Sequence, residues 1–312
     1  MRTGLVAAGG LAILVLSWAS ALGLAYPQDA AASSLVQALA DCAAVATFGF
    51  AIVPALDDGR RLDLGARAAA PLAATGAAWL VAEVCRQVVA AAQTTALPAI
   101  RLPLHTASEF SLDTSAGRAG LVSIASAALV SVAALVSVAA PSARRWPPMP
   151  VVIAGAAATG IAARAVSGHL SGSTVGAVTV AAHTLAAATW CGGLAALLVT
   201  VRHRGGWARV LPRFSQLSLI CVGVLLATGV IGAVLVLDSP TQLYATGYGR
   251  VLSAKVMLAA GLVVLARFNR SRWLPAARSH RASAQISLTR SATEVAVMVI
   301  ALTMAAALVV TG

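Results

Sequence analysis

Uncharged apolar stretches of about 20 residues recur along almost all of the chain, and they constrain its fold more than any other feature. A bilayer core about 30 Å thick needs roughly 20 helical residues to cross it. Nine windows qualify: 5–26, 35–56, 68–90, 119–140, 150–169, 175–200, 214–237, 251–268 and 291–311. None shows the alternation of a lipid-facing barrel strand. We predict an all-α polytopic transmembrane helix bundle of about nine spans, forming a single domain over residues 1–312.

Composition excludes a soluble protein. The chain is 59% hydrophobic and 10% charged, against about 45–50% and about 25% in soluble domains. The net charge of +12 comes from arginines between the windows, which favour anionic lipid headgroups. We therefore expect a multi-pass plasma-membrane protein whose partner is the lipid bilayer, with no role in binding nucleic acid.

The basic residues also predict an orientation. With the N-terminus inside, 16 of them lie on the cytoplasmic side and four outside, as the positive-inside rule requires. The C-terminus is then expected outside. The first window also fits a cleaved signal peptide, since Arg2 precedes the apolar run and small residues follow at 19–25. That alternative leaves the other eight windows and their orientation unchanged.

Three short motifs recur in the same order in two parts of the chain, which suggests a parallel repeat of three helices each. The matches pair Ala40-Asp41-Cys42 with Ala182-His183-Thr184, Ala74-Thr75-Gly76 with Ala227-Thr228-Gly229, and Thr114, Gly117 and Arg118 with Thr246, Gly249 and Arg250. In such a repeat, Asp41 and His183 occupy equivalent positions in the outer half of the membrane.

Three of the five histidines, His105, His169 and His183, lie on the predicted outer side. His169 ends the fifth window and His183 lies about two turns into the sixth, so a short connection brings them together. Neutral imidazole binds copper, zinc or iron, and copper(I) also accepts sulfur ligands. We predict an outer metal site at His169 and His183, with Asp41 as a third ligand or a partner of one. Trp190, seven residues after His183 and so on the same helix face, and Cys191 are candidate supporting residues.

Charged residues inside the windows are costly unless they are paired. Glu83 and Arg86, three residues apart, predict a local ion pair. Arg164 has no local acid and is expected to pair with a carboxylate such as Glu83. Glu294 is expected to pair with Arg290 or to cap its helix. The four cysteines, Cys42, Cys85, Cys191 and Cys221, form no CxxC motif, and we expect no disulfide.

Enzyme signatures are missing from the sequence. It contains no HExxH motif, no P-loop and no nucleophile elbow. Histidines are not paired on both sides of the membrane, as a two-haem electron path would need, although the outer pair leaves one haem open. We therefore predict a protein that is not an enzyme.

Several motifs together resemble the copper resistance D (CopD) family of membrane proteins, in its actinobacterial form. The pattern covers about residues 165–295 and consists of Ser167-Gly168-His169, His183 through Trp190-Cys191-Gly192-Gly193-Leu194, Arg213-Phe214-Ser215, Tyr248-Gly249-Arg250 with Lys255, and Asn269-Arg270. The N-terminal part is similar to longer members in which such a domain precedes a cytochrome c oxidase assembly-like membrane domain.

The resemblance implies a plasma-membrane protein that binds copper and imports it from the extracytoplasmic side. His169 and His183 would correspond to the histidines of the family, and Tyr248, Arg250 and Lys255 to its outer-loop motif. Met257 and His105 are further candidates for supporting the outer site.

The partners expected with this function are an extracytoplasmic copper donor protein or oxidase assembly factors. Two alternatives remain open. One is a membrane redox protein that binds haem b with His183 as an axial ligand. The other is a structural partner in cytochrome oxidase assembly that transports nothing itself.

Overall fold

A computed structural model describes residues 2–26, 31–57, 63–95, 97–140, 142, 149–168, 173–236, 241–279 and 283–311. Within these residues the chain is almost entirely helical and contains no strand. A helix satisfies its backbone hydrogen bonds internally, which a segment in lipid must do because no water is there to replace them. The prediction of an all-α membrane helix bundle is confirmed.

Thirteen α-helices are described, and two of the junctions between them are π-helical. The helices are α1 (Arg2–Ala25), α2 (Ala31–Ile52), α3 (Leu64–Thr95), α4 (Leu104–Asp113), α5 (Ser115–Ala139), α6 (Met149–Ala165), α7 (Thr174–Ala187), α8 (Gly193–Thr200), α9 (Arg204–Val236), α10 (Gln242–Ala245), α11 (Gly247–Phe268), α12 (Leu274–Arg278) and α13 (Ala284–Thr311). The first π segment, Ala188–Gly192, joins α7 to α8, and the second, Asn269–Trp273, joins α11 to α12.

Each predicted window coincides with a long helix or with a helix pair joined through a π segment. Seven of these stretches are long and apolar enough to cross a membrane, and two shorter apolar helices, Ala12–Ala25 and Met149–Ala165, match the first and fifth windows. The number of spans and their orientation remain predictions. The predicted fifth window is too long, since α6 ends at Ala165 and Ser167 and Gly168 lie beyond the helix.

The seventh window was drawn too short, because α9 begins at Arg204 instead of residue 214. Its first turns are rich in arginine, but Trp207, Val210, Leu211 and Phe214 are all buried. This spacing places them on one helix face, which packs on the core while the arginines face outward.

Helix α2 lies at the centre of the bundle and packs against α3, α6, α13 and the first π segment. It crosses that π segment with almost no separation: a Cβ atom added to Gly49 would overlap the carbonyl of Gly192, and one added to Gly192 would overlap the carbonyl of Val45. Small residues let membrane helices approach this closely. Asp41 lies eight residues before Gly49 and His183 nine residues before Gly192.

Hydrogen bonds from arginines tie the helix ends together. At one end of the bundle, Arg67 donates to the Thr200 carbonyl and Arg270 to the Ser215 carbonyl and hydroxyl. Arg250 instead donates to the carbonyls of Leu24 at 3.2 Å and Tyr26 at 2.7 Å. It therefore satisfies the carbonyl end of α1, which carries partial negative charge.

The motifs of the suggested repeat share a local structure. Thr114 and Thr246 each begin a helix, and their hydroxyls accept hydrogen bonds from the N–H groups of Gly117 at 2.8 Å and Gly249 at 2.9 Å. Ser173 forms the same cap with Gly176 at the start of α7. The cap is thus a common way for helices of this chain to begin, and the repeat remains a prediction.

Candidate functional site

His183 is half-buried on α7 and is held by α9. Its Nδ1 lies 2.9 Å from the hydroxyl of Thr228, which donates its own proton to the Val224 carbonyl at 2.6 Å. A hydroxyl has one proton to give, so while that proton is on the Val224 carbonyl, Thr228 accepts a hydrogen bond from the Nδ1–H tautomer of the imidazole. The lone pair of Nε2 is therefore available to a metal ion, and the ring orientation is set by the partner of the other nitrogen.

Lys255 is the charged neighbour of this imidazole. It lies half-buried on α11 and is close enough to His183 for the two to interact electrostatically. Met257, two residues later, is 73% exposed at the periphery of the bundle. Lys255 thus faces the region of His183, whereas Met257 faces away from the helices.

Asp41 is engaged by other partners. Its Oδ2 accepts a hydrogen bond from Gln37 at 2.9 Å, and its Oδ1 is paired with Arg86 at 3.4 Å. The structure therefore holds Asp41 and His183, which we predicted to share a metal, in separate sets of contacts. The role of Asp41 at a metal bound by His183 remains a prediction.

Arg86 connects Asp41 to a buried ionic network that joins α2, α3 and α6. Arg86 also contacts Glu83 at 3.3 Å, and Arg164 contacts the other oxygen of Glu83 at 2.7 Å. Gln87 accepts a hydrogen bond from Arg164 at 3.1 Å and donates to the Gly117 carbonyl. Both predicted pairings of Glu83, with Arg86 and with Arg164, are confirmed. Two carboxylates and two guanidinium groups leave this network neutral.

The other predicted outer residues lie in varied places. His169 falls outside the described residues, and nothing is described of the Tyr248 side chain. His105 is exposed on α4, a helix that packs against α3 and α5. The Arg250 guanidinium is hydrogen-bonded to carbonyl groups at the end of α1. In the parts of the chain that the structure describes, no group of three or more His, Cys, Asp or Glu side chains is placed to hold a metal.

Trp190 and Cys191 belong to the first π segment, where the wider turn changes the helix face. His183 contacts α9 through Thr228, whereas Trp190 lies beside Glu294 on α13. The two side chains thus contact different helices, and the prediction that they share one helix face, which assumes an unbroken α-helix, stays a prediction. Cys191 interacts electrostatically with Cys42, Glu294 and Cys221, so three cysteines from three helices lie in one region.

Glu294 also departs from the prediction. Its carboxylate accepts a hydrogen bond from the Asn269 amide at 2.8 Å. Arg290, its predicted partner, instead lies over the ring of Phe268, 5.6 Å from the centroid. The motif Asn269-Arg270 contains Asn269 and the repeat contains Thr228, but neither pattern predicts the contacts that these side chains make.

Comparison with known proteins relates part of the chain to copper. Residues 208–309 match the family model of copper resistance protein D. A 113-residue region is 31% identical to copper transport protein CutJ of Bacillus subtilis (strain 168). That region makes up 33% of this chain and 21% of the relative, so the chain aligns with only about a fifth of that protein. No solved structure matches. The family match contains Thr228, Lys255, Asn269 and Glu294 but begins after His169 and His183.

Proposed function

We propose that this membrane protein, whose residues 208–309 match the family model of copper resistance protein D, binds copper on its outer side and moves it inward. His183 is the first ligand in this proposal, and His169, at the neighbouring helix end, is the second. The proposal assigns the protein a transport role and no catalysis. A copper donor protein outside the membrane, or an oxidase assembly factor inside, would supply or receive the ion.

The observation that carries this proposal is the hydrogen bonding of His183. Thr228 accepts from Nδ1–H and leaves Nε2 free to coordinate. A metal ligand in proteins commonly has its other ring nitrogen held in this way. Helix α7 begins after its N-cap Ser173, and His183 lies between this helix start and the crossing at Gly192.

Charge near the site favours a monovalent ion. Lys255 interacts electrostatically with His183, so a cation bound at Nε2 experiences repulsion from its ammonium group. Coulomb repulsion is proportional to the charge of the ion, and copper(I) therefore meets half the repulsion of copper(II). Copper(I) also accepts sulfur ligands such as Cys191 in the first π segment. Asp41 has no direct part, since Arg86 already holds its charge.

Copper accumulation in cells tests the proposal. Cells expressing His183→Ala should accumulate no more copper than cells without the protein, because the first ligand is gone. His203→Asn is the matched control: His203 caps the N–H of Gly206 at the start of α9, and asparagine is a favoured cap at such a position. Wild-type accumulation in the His183→Ala cells would refute the assignment. Absorption spectra of the purified proteins would show any bound haem directly.

A further inference from the structure

Glu294 is a deeply buried carboxylate that no arginine or lysine neutralises in the described part of the chain. It is 5% exposed, and its contacts are the Asn269 amide and the neighbouring indole of Trp190. None of the ion pairs found among the described residues involves Glu294. A lone carboxylate in a low-dielectric interior needs a proton or a bound cation to neutralise it.

Glu83 provides the contrast within the same molecule. It is 2% exposed, as deeply buried as Glu294, but Arg86 and Arg164 hold its two oxygens. Its charge is therefore permanently balanced by the protein. Glu294 differs because no described residue neutralises the negative charge of its carboxylate. A proton or a cation has to do so, and such a site suits a cation that enters and leaves.

Both π segments meet at this carboxylate. Asn269, in the second π segment, donates to Glu294, and Trp190, in the first, lies beside it. π segments inside helices are rare and are frequent at functional sites. The two that this structure describes converge on one charged group, although they are almost 80 residues apart in the sequence.

Sulfur ligands are close to the same carboxylate. Met298 follows Glu294 by one helical turn on α13, on the same face, and is 1% exposed. Cys191 in the first π segment interacts electrostatically with Glu294. Copper(I) prefers soft sulfur ligands, and a thioether supplies one without adding charge. Cys191 is eight residues from His183, which at about 1.5 Å per residue is about 12 Å further along the helix.

We propose that Glu294 forms an inner cation site in which a proton and a monovalent metal ion exchange, with Met298 as a neutral thioether ligand and Cys191 close by as a protonated thiol. This inference rests on the proposed function, because it takes copper(I) as the ion. The proton leaves the carboxylic acid as the carboxylate coordinates the ion, so the site stays neutral and nothing is oxidised or reduced. Asn269 holds the carboxylate in place in both states.

The other charged and titratable groups around Glu294 are engaged elsewhere or weakly polar. Arg290, one turn earlier on α13, and Arg272 in the second π segment both lie over the ring of Phe268. Arg270 is held by Ser215 on α9. Cys221 on α9 and Cys42 on α2 present thiols to Cys191. Glu294 is therefore the group in this region at which a proton and a metal ion exchange.

Infrared difference spectroscopy of the full chain in lipid nanodiscs tests the exchange. Adding copper(I), supplied anaerobically from a soluble copper(I) chelator complex, should remove a protonated-carboxyl band and release about one proton per inner ion. Glu294→Gln should lack the band change and the proton release at that site. Glu109→Gln, which alters an exposed carboxylate on α4, should behave like the wild type.

A conservative variant covers the case in which Glu294→Gln does not fold. Glu294→Asp should keep the band change at a shifted frequency, because aspartic and glutamic acids absorb differently. An unshifted band in that variant, or an unchanged band loss in Glu294→Gln, would overturn the inner site. Copper uptake through His183 with no response from Glu294 would refute this inference alone. A responsive Glu294 in a protein that transports no copper would refute the proposed function alone.

Discussion

At the scale of single residues, Thr228 determines what His183 can do. Its hydroxyl is held by the Val224 carbonyl, so it can only accept from the imidazole. This fixes the ring tautomer and its orientation. The sequence contained both residues within matched motifs, but their contact joins helices 45 residues apart and depends on how α7 packs against α9.

Removing the Thr228 hydroxyl should weaken metal binding without changing the ligand itself. We expect Thr228→Val to lower copper(I) affinity about 10–100-fold, the usual cost of losing the partner of a metal-bound histidine. Thr159→Val is the matched control, since Thr159 is exposed and bonds only its own helix. Competition with a chromophoric copper(I) chelator measures the affinity, and equal values for the two variants would contradict the role of Thr228.

The ionic network supports a second prediction at this scale. Glu83→Gln leaves Arg86 and Arg164 short of a carboxylate inside the bundle. Breaking a buried pair by removing one partner costs about 3–5 kcal/mol, so we expect a marked fall in the thermal unfolding temperature in detergent. Glu109→Gln should leave it unchanged. An unfolding temperature equal to that of the wild type would show that the network contributes little to stability.

At the scale of helices, the crossing of α2 with the first π segment sets how closely these two segments approach each other. Gly49 and Gly192 leave no space for a side chain on either helix. The windows predicted both spans from apolarity alone. They could not predict the crossing, because glycine is common in this chain and its packing role depends on which helices meet.

Alanine substitution measures how tight this crossing is. Gly192→Ala should force the helices apart and destabilise the fold, because the new methyl group would overlap the backbone of α2. Gly223→Ala on α9 is the matched control: nothing lies within 4 Å of its added Cβ, and alanine is the better helix former. Thermal unfolding of the two variants compares them. A Gly192→Ala protein as stable as the control would show that the crossing is loose.

The π segments are the elements that sequence analysis missed. An extra residue in a helical turn leaves no mark in apolar periodicity when nearly every side chain is apolar. The prediction that Trp190 shares a face with His183 therefore assumes an unbroken α-helix. Glu294, predicted to pair with Arg290 or to cap its helix, contacts Asn269 instead. The pairs that were predicted correctly, Glu83 with Arg86 and Arg164, followed from the cost of leaving a charge unpaired in the membrane.

At the scale of the whole molecule, the orientation is the prediction most open to direct test. In a Cys85→Ser background, Ser108→Cys on α4 should react with a membrane-impermeant maleimide in intact cells. Ser271→Cys in the second π segment should react only after the cells are permeabilised. Both serines are exposed, so access depends on the side of the membrane. The reverse pattern would invert the bundle and place His183 on the inner side.

The proposed route takes copper(I) across the membrane through this bundle by way of His183. Proteoliposomes containing the purified chain, with copper(I) outside and a fluorescent copper(I) chelator trapped inside, measure it most directly. We predict a copper-dependent fluorescence change for the wild type and His203→Asn, and none beyond the leak of protein-free liposomes for His183→Ala. Equal rates for the wild type and His183→Ala, or no transport by the wild type, would contradict the claim.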